Sequence, residues 1–338
     1  MERKNINISH NIQTTFNMNK HRFPTQRIDM YLNNIFSSHC RMLSDREAQK
    51  TQWQLDNIPT EMTGKPRQHL RQMLKKKLKE HRYASTYPPF IPSPHKIFFI
   101  NYATTEETII HLMETIKMSN KFIVDTESIC VLHRPNVPAL IQLQVLIPHS
   151  ISYVLLIEVH HLPRATTTTF TLIKELFNLL FNPEKFIFVW GSIDELKKFI
   201  NFGLFSENQI CLVNEVNLQD EFKMYWQKHH PHHSTTDDNS ICLCEQCIGI
   251  DPNNSWGLQD SVAHELNRWL DKRQTLSSFH IGLDKNLKHL NDKELEYRQT
   301  LIQYAVDDCL SMEQLMISTN LINIHGTSSE TDEPFIVL

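Results

Sequence analysis

The sequence predicts an α/β domain of three layers, a central mixed sheet flanked by helices, and two observations carry that expectation. After residue 95, short runs rich in β-branched and aliphatic residues alternate with stretches whose apolar residues recur at helical spacing. Hydrophobic residues make up 40% of the 338-residue chain, enough to bury a sizeable core.

In order along the chain, KIFFINY (96–102) reads as a strand and TTEETIIHLMETIKMSN (104–120) as a helix. KFIVDTES (121–128) and ALIQLQVLI (139–147) read as strands joined by a loop with two prolines, and SYVLLIEVH (152–160) as a third. A helix over 170–181, a buried strand KFIFVWG (185–191), a helix Ile193–Phe202 and a strand QICLVNEV (209–216) follow. Helices over 258–270 and Asp292–Ser318 complete the domain, expected to span 96–322 with a polar His/Cys-rich insertion at 221–256 and a flexible tail at 323–338.

Ahead of it, residues 1–65 are Asn/Gln/Thr-rich without sustained periodicity and read as a largely disordered arm. Residues 66–95 read as a short basic amphipathic helix, RQHLRQMLKKKLKEHR, and a Pro-rich linker. Residues 1–95 hold 16 Lys/Arg against 7 Asp/Glu, whereas the rest holds 18 against 31. A basic arm on an acidic body suits a polyanion partner, and Lys75, Lys76 and Lys77 are its candidate phosphate contacts. The longest apolar runs fall far short of a membrane span, no secretory signal opens the sequence, and seven unpaired-looking cysteines suit a reducing compartment. The expectation is an intracellular protein of nucleus or cytoplasm. With seven glycines, none spaced as GxG or GxxxxGK, neither a dinucleotide fingerprint nor a Walker loop is present, so any phosphate handled here must be met by metals or cationic side chains.

Three sets of residues suggest chemistry. Asp125 and Glu127 stand two apart on a strand, which puts both carboxylates on one sheet face. Two such groups repel unless a cation lies between them. Ser192 and Glu195 have capping-box spacing, which gives Glu195 a local task and leaves Asp194 in the first turn, over the sheet's edge. Tyr304 and Asp308, four apart, share one face of the last helix, with Asp307 rotated away.

In their order, FIVDTES, ALIQLQVLI, VWGSIDELKKF, LQDSVAHELNRWLDK and RQTLIQYAVDDCLSM, these segments resemble the DEDD superfamily of 3′→5′ exonucleases. The resemblance is to the tyrosine subtype of its ribonuclease D-like branch, which includes the Werner-type exonuclease domain, and spans about 96–317. It implies an RNase H-like fold and hydrolysis of phosphodiesters at nucleic-acid 3′ ends, with RNA slightly favoured over DNA. It also implies two divalent ions, Mg²⁺ or Mn²⁺, held by Asp125, Glu127, Asp194 and Asp308. Asp125 would bridge the ions, and Tyr304 would orient the attacking water. Lys272 falls at a recurring basic position, which makes it a candidate nucleic-acid contact, and Phe279 where Trp is common. Trp190-Gly191-Ser192 departs from the pair usual before the second Asp and leaves Glu195 as the competing carboxylate.

Two other readings stand beside this one. A nuclease fold that only binds nucleic acid as an adaptor would gain nothing from clustered carboxylates, and an RNase H-like transposase or endonuclease would not need the YxxxD helix. In the insertion, Cys242, Cys244 and Cys247 lie near four histidines and offer ligands for Zn²⁺. Their C-x-C-x2-C spacing is not that of a standard finger, so a reduced loop is the expected reading.

Overall fold

The computed structural model describes residues 41–129, 135–148, 150–230, 255–275, 277–288 and 291–321. The sheet and its helices all belong to one compact unit, Met42–Leu338. Six strands form one mixed sheet in the order β1-β4-β3-β2-β5-β6. They are β1 (His95–Ile100), β2 (Lys121–Ile129), β3 (Val137–Val145), β4 (Ser152–Glu158), β5 (Phe186–Val189) and β6 (Asn214–Asn217). β2, β3 and β4 pair antiparallel as a meander, while β1 joins β4, and β5 joins β2 and β6, in parallel. The expected mixed sheet between helices, the RNase H-like α/β arrangement, is the one formed.

Strand alternation divides the core in two. Phe122, Val124, Ile141 and Leu143 turn to one face, against α3 (Glu106–Met118), α4 (Thr168–Leu180) and a 3₁₀ helix, Ile193–Phe202. Ile123, Leu140 and Leu156 turn to the other, against α6 (Leu218–His229), α7 (Leu258–Leu266) and α8 (Asp292–Ser318). Leu301, Tyr304, Ala305, Asp308, Cys309 and Met312 make the buried stripe of α8, a spacing of three and four that suits a helix lying on a sheet. Period-2 geometry therefore sends Asp125 and Glu127, which share a face with Ile123, toward that stripe.

The structure departs from the sequence expectation in several places, one of them the helix expected over 258–270, which ends at Leu266 with Asn267 in the left-handed region. Within 1–65, Asp45–Asp56 forms α1, started by a Ser44/Glu47 capping box; residues 1–40 lie outside the described residues. The basic helix is longer than expected, α2 (Gly64–Thr86), and it packs on the domain expected to begin at residue 96. Its Lys79 and Tyr83 both reach Asp260 of α7, the tyrosine hydroxyl at 2.7 Å, and its Glu80 accepts from Gln259 and from the Trp269 indole. Backbone bonds between Pro88, Phe90 and Trp269 then tie the proline segment down. The run 209–216 is not one strand: a capping box at Ser206 starts the short α5 (Glu207–Cys211), and only Asn214–Asn217 pairs with β5. The expected insertion opens with α6, whose Phe222 and Trp226, one turn apart, sit in the core with Trp256. The remainder of that insertion, with Cys242, Cys244 and Cys247, and the tail 323–338 lie outside the described residues. Among the described residues, no helix is long and apolar enough to cross a membrane.

Candidate active site

β2 and β5 run parallel, and their carboxyl ends open onto one cleft, the edge at which α/β sheets present ligand-binding groups. Val124, Asp125 and Thr126 line it from β2; Trp190, Ser192, Ile193 and Glu195 line it from the connection after β5. The chain turns there through Gly191, whose φ of 116° disfavours any residue with a Cβ. The Asn217 side chain accepts from the Gly191 N–H, and the Glu215 carboxylate from the Ile193 N–H at 2.8 Å, so β6 fixes the start of the 3₁₀ helix.

Asp125, Glu127 and Asp308 converge, each offering a carboxylate oxygen, with these atoms all within 4.8 Å of one another. Glu127 and Asp308 are buried and Asp125 is half-buried. Burial raises the affinity of all three for protons. It pushes Asp308 up to about 7, and with the neighbouring charges of Asp125 and Asp308 it holds Glu127 well above the usual carboxylate range. Asp125 is raised by burial and by Glu195, against the opposing pull of Lys272 and of the Thr126 N–H at 2.8 Å. Three hard oxygen donors on two rigid elements, each poorly accommodated when charged, form a donor set that suits a hard divalent cation.

One cation is already within the cluster. The Lys272 ammonium lies 2.6 Å from Asp308 Oδ1 and 5.0 Å from the centre of the Tyr304 ring. Burial acts to lower its pKa, but Asp308, Tyr304 and Asp125 outweigh burial and hold it well above the usual lysine value. The sequence points to Lys272 as a nucleic-acid contact, and the structure sets it inside the carboxylate group rather than on an outer surface. The Tyr304 hydroxyl shares a hydrogen bond of 3.0 Å with Thr275, a partner with no signal in the sequence motifs. Burial, then Asp308, pushes the Tyr304 phenol well above its ordinary value, so it stays protonated. Phe279 packs its ring 5.8 Å from that of Tyr304. Asp307, rotated out of the stripe, faces a second cleft with Asp271, Gln274 and Gln303, which Tyr304 also lines, and burial raises it to about 7.

Asp194 does not join the others. It is 63% exposed and pairs with Lys197 at 3.0 Å. The physical reason is the 3₁₀ form of Ile193–Phe202, in which side chains recur every three residues. Ile193, Leu196 and Phe199 make the inward stripe, Asp194 and Lys197 occupy one flank, and Glu195 and Lys198 the other. Glu195 is the carboxylate on the cleft side, and its charge reaches Asp125. The expected capping box is not formed: Ser192 Oγ accepts from the Asp194 N–H at 3.2 Å, and Glu195 pairs with Lys198 instead of turning back to the cap. Among the basic residues expected to meet phosphate, Lys75 and Lys76 are exposed on α2, and Lys76 is close enough to feel Glu127 and Lys272. Lys77 is half-buried.

No family model and no curated protein matches the chain. Among solved structures, it is similar to RNase D of Escherichia coli, an exoribonuclease involved in structured RNA processing, at 17% identity and a TM-score of 0.39. That match covers 67% of this chain and 46% of the other. The Nibbler EXO domain of Aedes aegypti matches at 13% identity and a TM-score of 0.37, over 67% of this chain and 95% of that one. RNase D of Trypanosoma brucei, in complex with RNA U12, matches at 14% and 0.41, over 67% and 62%. The chain thus spans less than two thirds of either RNase D.

Proposed function

We propose that the chain is a metal-dependent 3′→5′ exonuclease that hydrolyses phosphodiester bonds at nucleic-acid 3′ ends. The observation that carries this reading is the convergence of Asp125, Glu127 and Asp308, two from one strand and one from the last helix, within 4.8 Å. In place of Asp194, we assign the fourth carboxylate to Glu195, because it lines the cleft with Asp125. These four residues would hold two divalent ions, Mg²⁺ or Mn²⁺, which would activate a water and neutralise the leaving 3′-oxygen.

The chain's own groups supply the rest. Tyr304, kept protonated and aimed by Thr275, donates its hydroxyl hydrogen to the attacking water and orients it; its raised pKa rules it out as a base. Lys272 carries a full positive charge beside Asp308 and is placed to meet a phosphate oxygen as charge accumulates there. RNA is favoured over DNA by the ribonuclease D-like order of the motifs. A binding-only adaptor finds no favouring feature, since buried clustered carboxylates repel phosphate.

The test is digestion of matched 5′-labelled RNA, single-stranded DNA and recessed duplex DNA with Mg²⁺ or Mn²⁺. The reading expects a ladder shortening from the 3′ end, fastest on RNA, and none with Asp125→Asn. Internal cuts would indicate an endonuclease, and uncut strands under every condition would remove the catalytic reading.

A further inference from the structure

Helix α2 lies outside the segments that resemble an exonuclease, yet it is fixed beside the carboxylate cluster. Its C-terminal half is anchored to α7 and to the chain leading into Lys272: Tyr83 and Lys79 hold Asp260, and Glu80 holds Gln259 and Trp269. Trp269 is three residues from Lys272, which touches Asp308. Helical spacing puts Lys76 one turn before Glu80 on the same face, and Gln72 and Lys65 continue that face toward the N-terminus. There nothing comparable covers it: Lys65, Gln72, Lys75 and Lys76 are all exposed. Over its 23 residues α2 carries eight Lys/Arg and one acid, Glu80.

Such a helix has an electrostatic consequence. The cluster of carboxylates at the cut site repels a phosphodiester backbone, so strand affinity has to come from cations nearby. Lys76 is the α2 cation whose charge reaches both Glu127 and Lys272. Lys65 lies about 16 Å from Lys76 along the helix, at 1.5 Å per residue.

We propose that α2 is a phosphate-binding rail for a single nucleic-acid strand entering the site, with Lys76 meeting the phosphate nearest the cut, Lys65 a phosphate farther along the same face, and Lys75 flanking them about 100° round the helix. This rests on the exonuclease reading and adds where the uncut part of the substrate lies. The occupant is the single strand that an exonuclease draws to its site, held on α2 through its phosphates, since no aromatic residue lies among the exposed cations to stack on bases. Affinity on such a rail is independent of sequence and steeply dependent on salt.

The experiment measures fluorescence anisotropy of a 5′-labelled single-stranded oligonucleotide with the full chain carrying Asp125→Asn, so that the strand is not consumed. Binding is followed between about 50 and 200 mM salt. Three cations are removed together as Lys65→Ala/Lys75→Ala/Lys76→Ala. A charge-matched control on the opposite side of the sheet carries Lys117→Ala/Arg164→Ala/Lys174→Ala, and circular dichroism verifies that both sets fold. The rail predicts that the first set weakens binding by about 10–100-fold and lowers the log–log salt slope by about 2, at roughly 0.7 for each phosphate no longer neutralised. The control set should leave the slope as it was. An unchanged slope in the first set, or an equal fall in both sets, overturns the rail while the wild-type chain still trims 3′ ends. If the wild-type chain neither binds nor trims any strand, the exonuclease reading and the rail fall together.

Discussion

At the scale of single residues, Asp194 and Glu195 decide how the second metal-holding position is filled. They are adjacent in sequence and chemically alike, and one 3₁₀ turn sends them to opposite flanks. Both are exposed and paired, Asp194 (63%) with Lys197 and Glu195 (57%) with Lys198, so exposure does not separate them; the flank they occupy does. Glu195 faces the cleft and adds to the negative field at Asp125. Glu195→Gln should therefore lower the rate of 3′ trimming on the order of 10²-fold, the scale of losing one electrostatic partner in a catalytic site. Asp194→Asn should stay within about twofold, as for loss of an exposed pair. Single-turnover rates at saturating Mn²⁺ distinguish the two, and the reverse order of effects would return the role to Asp194. The sequence alone leaves this pair open because capping-box spacing is compatible with an α-helical start, whereas the inward stripe Ile193, Leu196, Phe199 follows a period of three.

Elements are legible in the sequence where one local pattern decides them. The strands β1 to β5 and α8 stand close to where hydrophobic periodicity puts them, because each buries a face that the pattern itself displays. Elements that depend on partners distant in sequence are not legible in this way. Phe222 and Trp226 look like isolated aromatics in a polar stretch until Trp190, Trp256 and His264 of α7 meet their rings. Tyr83, Glu80 and Lys79 look like one side of a solvated basic helix, yet their partners lie some 180 residues away in α7 and beside it. The same packing makes α7 sensitive to acid. His264 sits between the rings of Tyr83, Trp226 and Trp256, facing Asp260, Arg82, Lys79 and His230. Burial lowers its pKa below 6.5; the attraction of Asp260 is opposed by the cations around it. A depressed folded-state pKa means that the unfolded chain takes up the proton first as pH falls. Stability from this residue is therefore fully present above about pH 6.5 and is lost below it. Thermal melting from pH 8 to pH 5 should show Tm falling through that window by about 2–4 °C per kcal/mol lost. His264→Gln should flatten the fall. Parallel curves for the two proteins would mean that His264 is not held in its neutral form by this packing.

For the whole molecule, the sheet acts as the frame that brings two distant stretches of sequence into one charged group. β2 presents Asp125 and Glu127 toward α8, α8 returns Asp308 and Tyr304 to the sheet, and the chain before it inserts Lys272 between them. Burying three carboxylates against a single lysine leaves an excess of negative charge that the fold sustains without another cation only by raising their proton affinity. Divalent ions would remove that excess. Isothermal calorimetry of Mn²⁺ with the full chain at pH 7.5 tests this most directly, in wild type and in Asp308→Asn. Saturable binding approaching two ions per chain, with protons released as the ions enter and with heat lost in the variant, is the expected result. Absence of saturable binding in wild type, or equal binding by Asp308→Asn, would contradict it.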